Sequence, residues 1–132
     1  MSNLVLRPSQ IGVLAAYGVA LWFGAALMMR VIGPLGAFHG PGTVLLYALV
    51  IPATVPFVLL ARKVAGLARD QTALGIAIVT GVAALLDGAA LAWFRPLYGV
   101  DPLGAAAAIL WGAGVGLVLG VILNGPERAY SA

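Results

Sequence analysis

The sequence predicts an all-α protein, a single antiparallel bundle of four transmembrane helices that takes up the whole chain, residues 1–132. Hydrophobic residues make up 63% of the chain and charged residues only 8%, and the mean hydropathy is +1.10. A soluble domain averages roughly 25% charged residues, so this chain has too few polar groups to cover a water-exposed surface. Four apolar stretches, each close to the roughly 20 residues that cross a bilayer, are joined by short connections.

The helices are delimited by the apolar runs and by the helix breakers between them. The first predicted span ends at Gly33-Pro34, the third before Pro96, and the fourth at Asn124-Gly125-Pro126. Because the backbone finds no water inside a bilayer, each span is expected to be a helix, and the short loops make consecutive helices antiparallel neighbours. The predicted spans are 11–32, 43–61, 72–94 and 103–123.

Two prolines lie inside the second span. Pro52 and Pro56 each remove a backbone donor and crowd the preceding turn. They predict a kink near the middle of this helix, with Thr54 placed to satisfy a carbonyl that the prolines leave without a partner.

The basic residues predict the orientation of the bundle. Five of them fall on one side of the predicted membrane and two on the other: Arg7, Arg62, Lys63, Arg69 and Arg128 against Arg30 and Arg95. The positive-inside rule then places both termini and the 62–70 loop in the cytoplasm. We therefore expect a multi-pass protein of the bacterial cytoplasmic (inner) membrane. Its net charge of +3 reflects topology rather than affinity for nucleic acid.

The chemical inventory argues against an enzyme. The chain has no cysteine and a single histidine, His39, which excludes disulfides, thiolate metal sites and histidine-rich zinc sites. It carries no phosphate-binding loop, GxSxG or HExxH motif. We expect no catalytic residues, no metal and no cofactor.

Small residues recur along one face of the fourth span. Gly112, Gly116 and Gly120 are spaced four residues apart, which allows a neighbouring helix to approach closely. The first and third spans show similar faces, at Ala16, Ala20 and Gly24 and at Ala73, Ala77 and Gly81. Such faces either pack the helices within one chain, which is the preferred interpretation, or form a homodimer.

One acidic residue lies inside a predicted span. Asp87 is seven residues before Phe94, roughly 10 Å inside the helix end. A carboxylate at this depth is costly and requires a partner. The predicted polar site consists of Asp87, Arg30, Arg95, Tyr98 and Asp101. Arg30 is the expected partner of Asp87, since it lies at the end of the first helix at nearly the same depth.

Three interpretations of Asp87 remain open. It fixes helix register through a structural pair or hydrogen bond, it carries protons or ions in transport, or it contacts a partner protein, lipid or cofactor. The lone His39, among Gly and Pro, is expected to be an interfacial loop residue.

Two short segments resemble the DUF5367 family of small, four-helix bacterial membrane proteins. The segments are Leu85-Leu86-Asp87-Gly88 and Trp93-Phe94-Arg95-Pro96-Leu97-Tyr98-Gly99, and Leu110-Trp111-Gly112 is similar too. The resemblance covers mainly the last 60 residues. Gly88 stands where the family pattern has Ala, and Leu97-Tyr98-Gly99 departs from the usual end of the motif. The resemblance implies a four-helix fold and a key role for the Asp, and it implies no activity.

The sequence thus favours a structural or accessory membrane component without enzymatic chemistry. The alternative is a small proton- or ion-coupled transporter or channel that uses Asp87. The expected partners are membrane lipid and either a larger membrane complex or further copies of the chain.

Overall fold

The computed structural model describes residues 5–126 and confirms the all-α fold class. The four α-helices are α1 Pro8–Ile32, α2 Gly40–Ala65, α3 Thr72–Trp93 and α4 Pro102–Ile122. Short 3₁₀ helices lie in the connections, at Gly33–Leu35, Arg69–Gln71 and Arg95–Tyr98. All four α-helices are long and apolar enough to cross a membrane, so the chain is a multi-pass membrane protein. Arg128, one of the residues behind the predicted orientation, lies outside the described residues.

Two helices extend three or more residues beyond their predicted bounds. Helix α1 begins at Pro8 because proline suits the first helical position, and the Arg7 N–H before it donates to Gln10 Oε1 at 2.9 Å. Helix α2 continues through Arg62 and Lys63 and ends at Ala65, and its C-cap Gly66 has a φ of +64°, the left-handed conformation that favours glycine. Charged side chains near a membrane surface extend toward water, so they do not end the helix.

Helix α2 runs unbroken through Pro52 and Pro56. The Thr54 hydroxyl donates to the Val50 carbonyl at 2.6 Å, four residues earlier. The carbonyls that lose their N–H partner are those four residues before each proline, at residue 48 and at Pro52 itself. The expectation that Thr54 satisfies one of these carbonyls is therefore wrong. Its short side chain reaches only the carbonyl four residues before it, that of Val50.

The helices pack in the spatial order α1, α3, α4, α2, with α1 mainly against α3 and α4 against both α3 and α2. Two buried clusters form the core. One surrounds Leu14, Val58 and Ile76. The other surrounds Tyr98 and Ala105 near the other end of the bundle.

The two ends of the bundle differ in charge. The basic end, as we name it, consists of residues 5–10, 62–73 and 120–126. The opposite end consists of residues 30–39 and 94–104. At the basic end, the Gly125 N–H donates to the Arg69 carbonyl at 3.1 Å, and Gln71 Nε2 donates to the Val5 carbonyl at 3.4 Å. These contacts hold both ends of the described chain at the same end of the bundle.

The glycine face of α4 packs inside the monomer. A Cβ on Gly112 would lie 3.9 Å from Val50 of α2, and one on Gly120 would lie 3.1 Å from Ile76 of α3. Gly116 faces Thr54 of α2 in the same way. This face therefore brings α4 close to α2 and α3, and it is already covered within the chain. By contrast, Ala16, Ala20 and Gly24 on α1 are exposed.

The outer surface of the bundle is apolar. Large hydrophobic side chains such as Leu49, Leu85 and Leu110 are more than half exposed. A shallow apolar groove of about 390 Å³ runs between α2 and α4 beside Ile51 and Trp111. Soluble monomers rarely expose contiguous apolar surface of this extent, whereas lipid tails solvate it without cost.

Candidate functional site at Asp87

The segment that follows α3 carries Tyr98 back into the bundle. Pro96 lies in the first turn of the 3₁₀ helix Arg95–Tyr98, and the chain leaves this helix at Gly99 with φ +93°. A Cβ on Gly99 would lie 3.2 Å from the Arg30 Cα, so only glycine lets the chain pass α1 this closely. Tyr98 is consequently 0% exposed and is among the largest fully buried side chains of the described chain.

A chain of two hydrogen bonds links α1, the 3₁₀ helix and α3. Trp22 Nε1 of α1 donates to Tyr98 Oη at 3.1 Å, and Tyr98 Oη donates to Asp87 Oδ1 of α3 at 2.6 Å. The second distance is typical of a hydroxyl donating to a carboxylate. Asp87 is half-buried and lies about 9 Å before the end of α3 at 1.5 Å per residue. The intramembrane acid is thus held by the most deeply buried tyrosine of residues 5–126.

The surroundings of Tyr98 keep its hydroxyl protonated. Burial raises the pKa of the phenol above its ordinary value of 10.0, and the hydrogen bond to the Asp87 carboxyl raises it further. An ionised Tyr98 would be desolvated and would lie beside the Asp87 carboxyl group, and both conditions disfavour its negative charge. Tyr98 therefore donates to Asp87 and accepts from Trp22 throughout the physiological pH range.

The expected ion pair between Arg30 and Asp87 is wrong. Within residues 5–126, neither Arg30 nor Arg95 makes an ion pair with Asp87, and both arginine side chains are exposed. The reason is steric, since Tyr98 occupies the position beside Asp87 that the sequence assigned to a cation. Arg30 instead passes beside Gly99, and Arg95 follows the end of α3 and is exposed.

Asp101 belongs to a different local structure from Asp87. It is the N-cap of α4, where Oδ1 accepts the Gly104 N–H at 2.9 Å. Its other oxygen lies 3.9 Å from His39 Nε2, at the start of α2. Of the five predicted site residues, the structure therefore brings together Asp87 and Tyr98, while Arg30, Arg95 and Asp101 surround them without a bond to either.

Two functional groups were missed in the sequence. Trp22 lies inside the first predicted span, and the rule that a buried indole N–H normally finds an acceptor identifies it as a hydrogen-bonding group. Asp70 lies in the predicted 62–70 loop, yet it is only 8% exposed, and both its oxygens are buried without a hydrogen-bond partner in the described chain. No sequence signal distinguished it from a solvated loop acid.

The polar groups of this site can hold protons and donate or accept hydrogen bonds. Within residues 5–126 no three His, Cys, Asp or Glu side chains come close enough to hold a metal ion. The arrangement thus links three chain segments through one carboxylate, one phenol and one indole. No protein-family model matches the chain, and neither a curated protein nor a solved structure is significantly similar to it.

Proposed function

We propose that this chain is a non-enzymatic component of the bacterial cytoplasmic membrane, which packs as an accessory subunit in a larger membrane complex. One observation carries the proposal: the single acid within the described spans is held by a buried tyrosine, which in turn accepts from a tryptophan on another helix. These two hydrogen bonds fix the positions of α1 and α3 relative to each other. It supports a structural role for Asp87.

The outer surface supports a role in association. Small residues on α1, including Gly12 and Gly24, leave open space where a side chain would otherwise stand. Small exposed residues favour contact with another helix, because they allow two backbones to approach closely. The resemblance to the DUF5367 family, carried by Leu85–Gly88 and Trp93–Gly99, adds the proposal that the Asp is the key residue of such proteins.

The structural role of Asp87 is tested by two substitutions of similar size. In Asp87→Asn the amide oxygen still accepts from Tyr98, so we expect nearly unchanged stability. In Asp87→Leu the buried Tyr98 hydroxyl loses its acceptor, and we expect a loss of about 1–3 kcal/mol in the free energy of unfolding. Unfolding of the purified protein in mild detergent measures both. Asp101→Asn is the matched control, since it removes one negative charge near the same end and keeps a good N-cap.

A second candidate function is proton- or ion-coupled transport through Asp87. The observation that favours it is that Asp87 is half-buried and that its Oδ2 has no hydrogen-bond partner in the described chain, which leaves one oxygen able to take a proton. Intramembrane carboxylates often carry protons in transporters. Transport requires the acid itself, whereas the structural role requires only an acceptor.

Proteoliposomes that contain a pH-sensitive dye separate the two functions. If the wild type moves protons and a stably folded Asp87→Asn protein does not, the transport function is supported and the accessory function is contradicted. Purification in mild detergent gives an independent result. A stoichiometric larger membrane partner supports the accessory function, and a clean homodimer favours the transporter.

A further inference from the structure

Four cationic side chains gather at the basic end of the bundle, within the described residues. They are Arg7, Arg62, Lys63 and Arg69. Arg62 is half-buried, and its guanidinium is already hydrogen-bonded within the protein. Its Nε donates to Thr72 Oγ1 at 3.1 Å, and its Nη2 donates to the Leu123 carbonyl at 2.9 Å. The other three are exposed, and none of them makes an ion pair within residues 5–126.

The three exposed cations surround the short connection between α2 and α3. Arg7 Nη2 lies 3.9 Å from where a Cβ on Gly66 would stand. Lys63 is in the last turn of α2, and its carbonyl accepts the Gly66 N–H at 3.3 Å. Arg69 lies near the end of the connection, and its guanidinium lies 3.1–3.4 Å from the position that a Cβ on Gly125 would take. Three exposed positive charges thus lie on or beside this connection.

The acid nearest to these cations does not neutralise them directly. Asp70 is the acidic residue at this end within residues 5–126, and it is only 8% exposed. It makes no ion pair with Arg7, Lys63 or Arg69 in the described chain. The exposed surface of the connection is therefore strongly cationic.

Apolar side chains border the cationic surface on the membrane side. Leu60 and Val64 of α2 are 46% and 48% exposed, and Ile11 of α1 is 43% exposed. A ligand that fits both surfaces has an anionic head and apolar tails. Because the cations follow directly on membrane-spanning helices, they lie at the depth of the lipid headgroups.

We propose that Arg7, Lys63 and Arg69 form a binding surface for the anionic headgroup of a membrane phospholipid. The phosphate and any further headgroup charge meet the three cations, and the acyl chains lie along Leu60 and Val64. Basic side chains at a membrane surface each contribute about fivefold to the affinity for anionic lipid, so three of them amount to roughly a hundredfold.

The test compares lipid retention by two sets of variants of the full chain. Purified protein is titrated with phosphatidylglycerol or with phosphatidylcholine, and the bound lipid is counted by native mass spectrometry. We expect the wild type to retain phosphatidylglycerol in preference, and the triple variant Arg7→Gln, Lys63→Gln, Arg69→Gln to bind it roughly tenfold to a hundredfold more weakly. The control is the double variant Arg30→Gln, Arg95→Gln at the opposite end, which keeps the preference.

Several outcomes overturn the proposal. One is an equal affinity of the wild type for both lipids, and another is an equal loss of binding in the triple variant and the opposite-end control. If inorganic phosphate displaces the lipid at millimolar concentration, the surface binds free phosphate rather than a headgroup. Should the triple variant fail to fold, the charge-preserving variant Arg7→Lys, Arg69→Lys decides: retained binding that weakens as salt is raised supports the proposal, and salt-independent binding contradicts it.

Discussion

At the scale of single residues, Tyr98 has the greatest structural consequence at the opposite end of the bundle. Its ring fills the core beside Ala26 and Ala105, and its hydroxyl serves at once as acceptor for Trp22 and donor to Asp87. Polar groups inside an apolar protein cost free energy unless they are hydrogen-bonded. One hydroxyl therefore satisfies an indole and a carboxylate that would otherwise both be unpaired.

The substitution Tyr98→Phe removes only this hydroxyl. The Trp22 N–H then lacks its acceptor and Asp87 Oδ1 its donor, so we expect a loss of about 1–3 kcal/mol in the free energy of unfolding. Unfolding in mild detergent measures the loss. Tyr47→Phe is the control, since the Tyr47 hydroxyl makes no hydrogen bond within residues 5–126. Equal stability of the two variants would show that the Tyr98 hydroxyl does not stabilise the bundle.

At the scale of the helices, glycine sets how closely the elements approach one another. A Cβ on Gly18 of α1 would lie 2.7 Å from the Val79 carbonyl oxygen of α3. A backbone atom cannot rotate away as a side chain can, so a larger residue forces the two helices apart. The internal glycine face of α4 acts on the same principle against α2 and α3.

Substitution at two glycines of α1 separates packing from helix propensity. Gly18→Ala forces α1 away from α3, and we expect a loss of about 1–3 kcal/mol. Gly24→Ala meets open space, and alanine is the better helix former, so we expect a gain of up to about 1 kcal/mol. Unfolding of both variants in the same detergent gives the comparison. A stable Gly18→Ala protein would mean that α1 and α3 pack less closely than the structure shows.

At the scale of the whole molecule, the basic end binds the four helices together through polar contacts. Arg62 of α2 reaches Thr72 at the start of α3 and the carbonyl of Leu123 after α4. Asn124 Oδ1 accepts the Ala73 N–H of α3 at 3.0 Å, and Gln10 Nε2 of α1 donates to the Gly66 carbonyl at 3.1 Å. These bonds stabilise the assembly because they join segments that are distant along the chain.

The contribution of this end is measured by Arg62→Met, which keeps the apolar stem of the side chain and removes its donors. We expect a loss of about 1.5–3 kcal/mol in the free energy of unfolding, the range for hydrogen bonds to a charged group. The adjacent Lys63→Met is the control, since Lys63 is exposed and a surface change of this kind stays within about 0.5 kcal/mol. If the two substitutions have the same effect, Arg62 does not hold the helices together.

Composition and local pattern are enough to predict the membrane class, the number of helices and, to within one residue, five of the eight helix ends. Hydropathy and length are properties of a continuous stretch, and breakers such as Gly33-Pro34 act on their own neighbours, so no tertiary contact is needed to recognise them. The largest difference is at the end of α2, which was predicted at residue 61 and lies at Ala65. The charged pair Arg62-Lys63 ends the apolar stretch, but the helix continues through it for one further turn.

The tertiary structure alone decided which groups meet. It gave Asp87 a tyrosine partner rather than Arg30, because the 3₁₀ helix Arg95–Tyr98 folds back into the bundle. It also buried Asp70. Each of these outcomes depends on how helices rotate and approach one another. Such distances are set by packing between segments far apart in sequence, and they leave no local pattern in the chain.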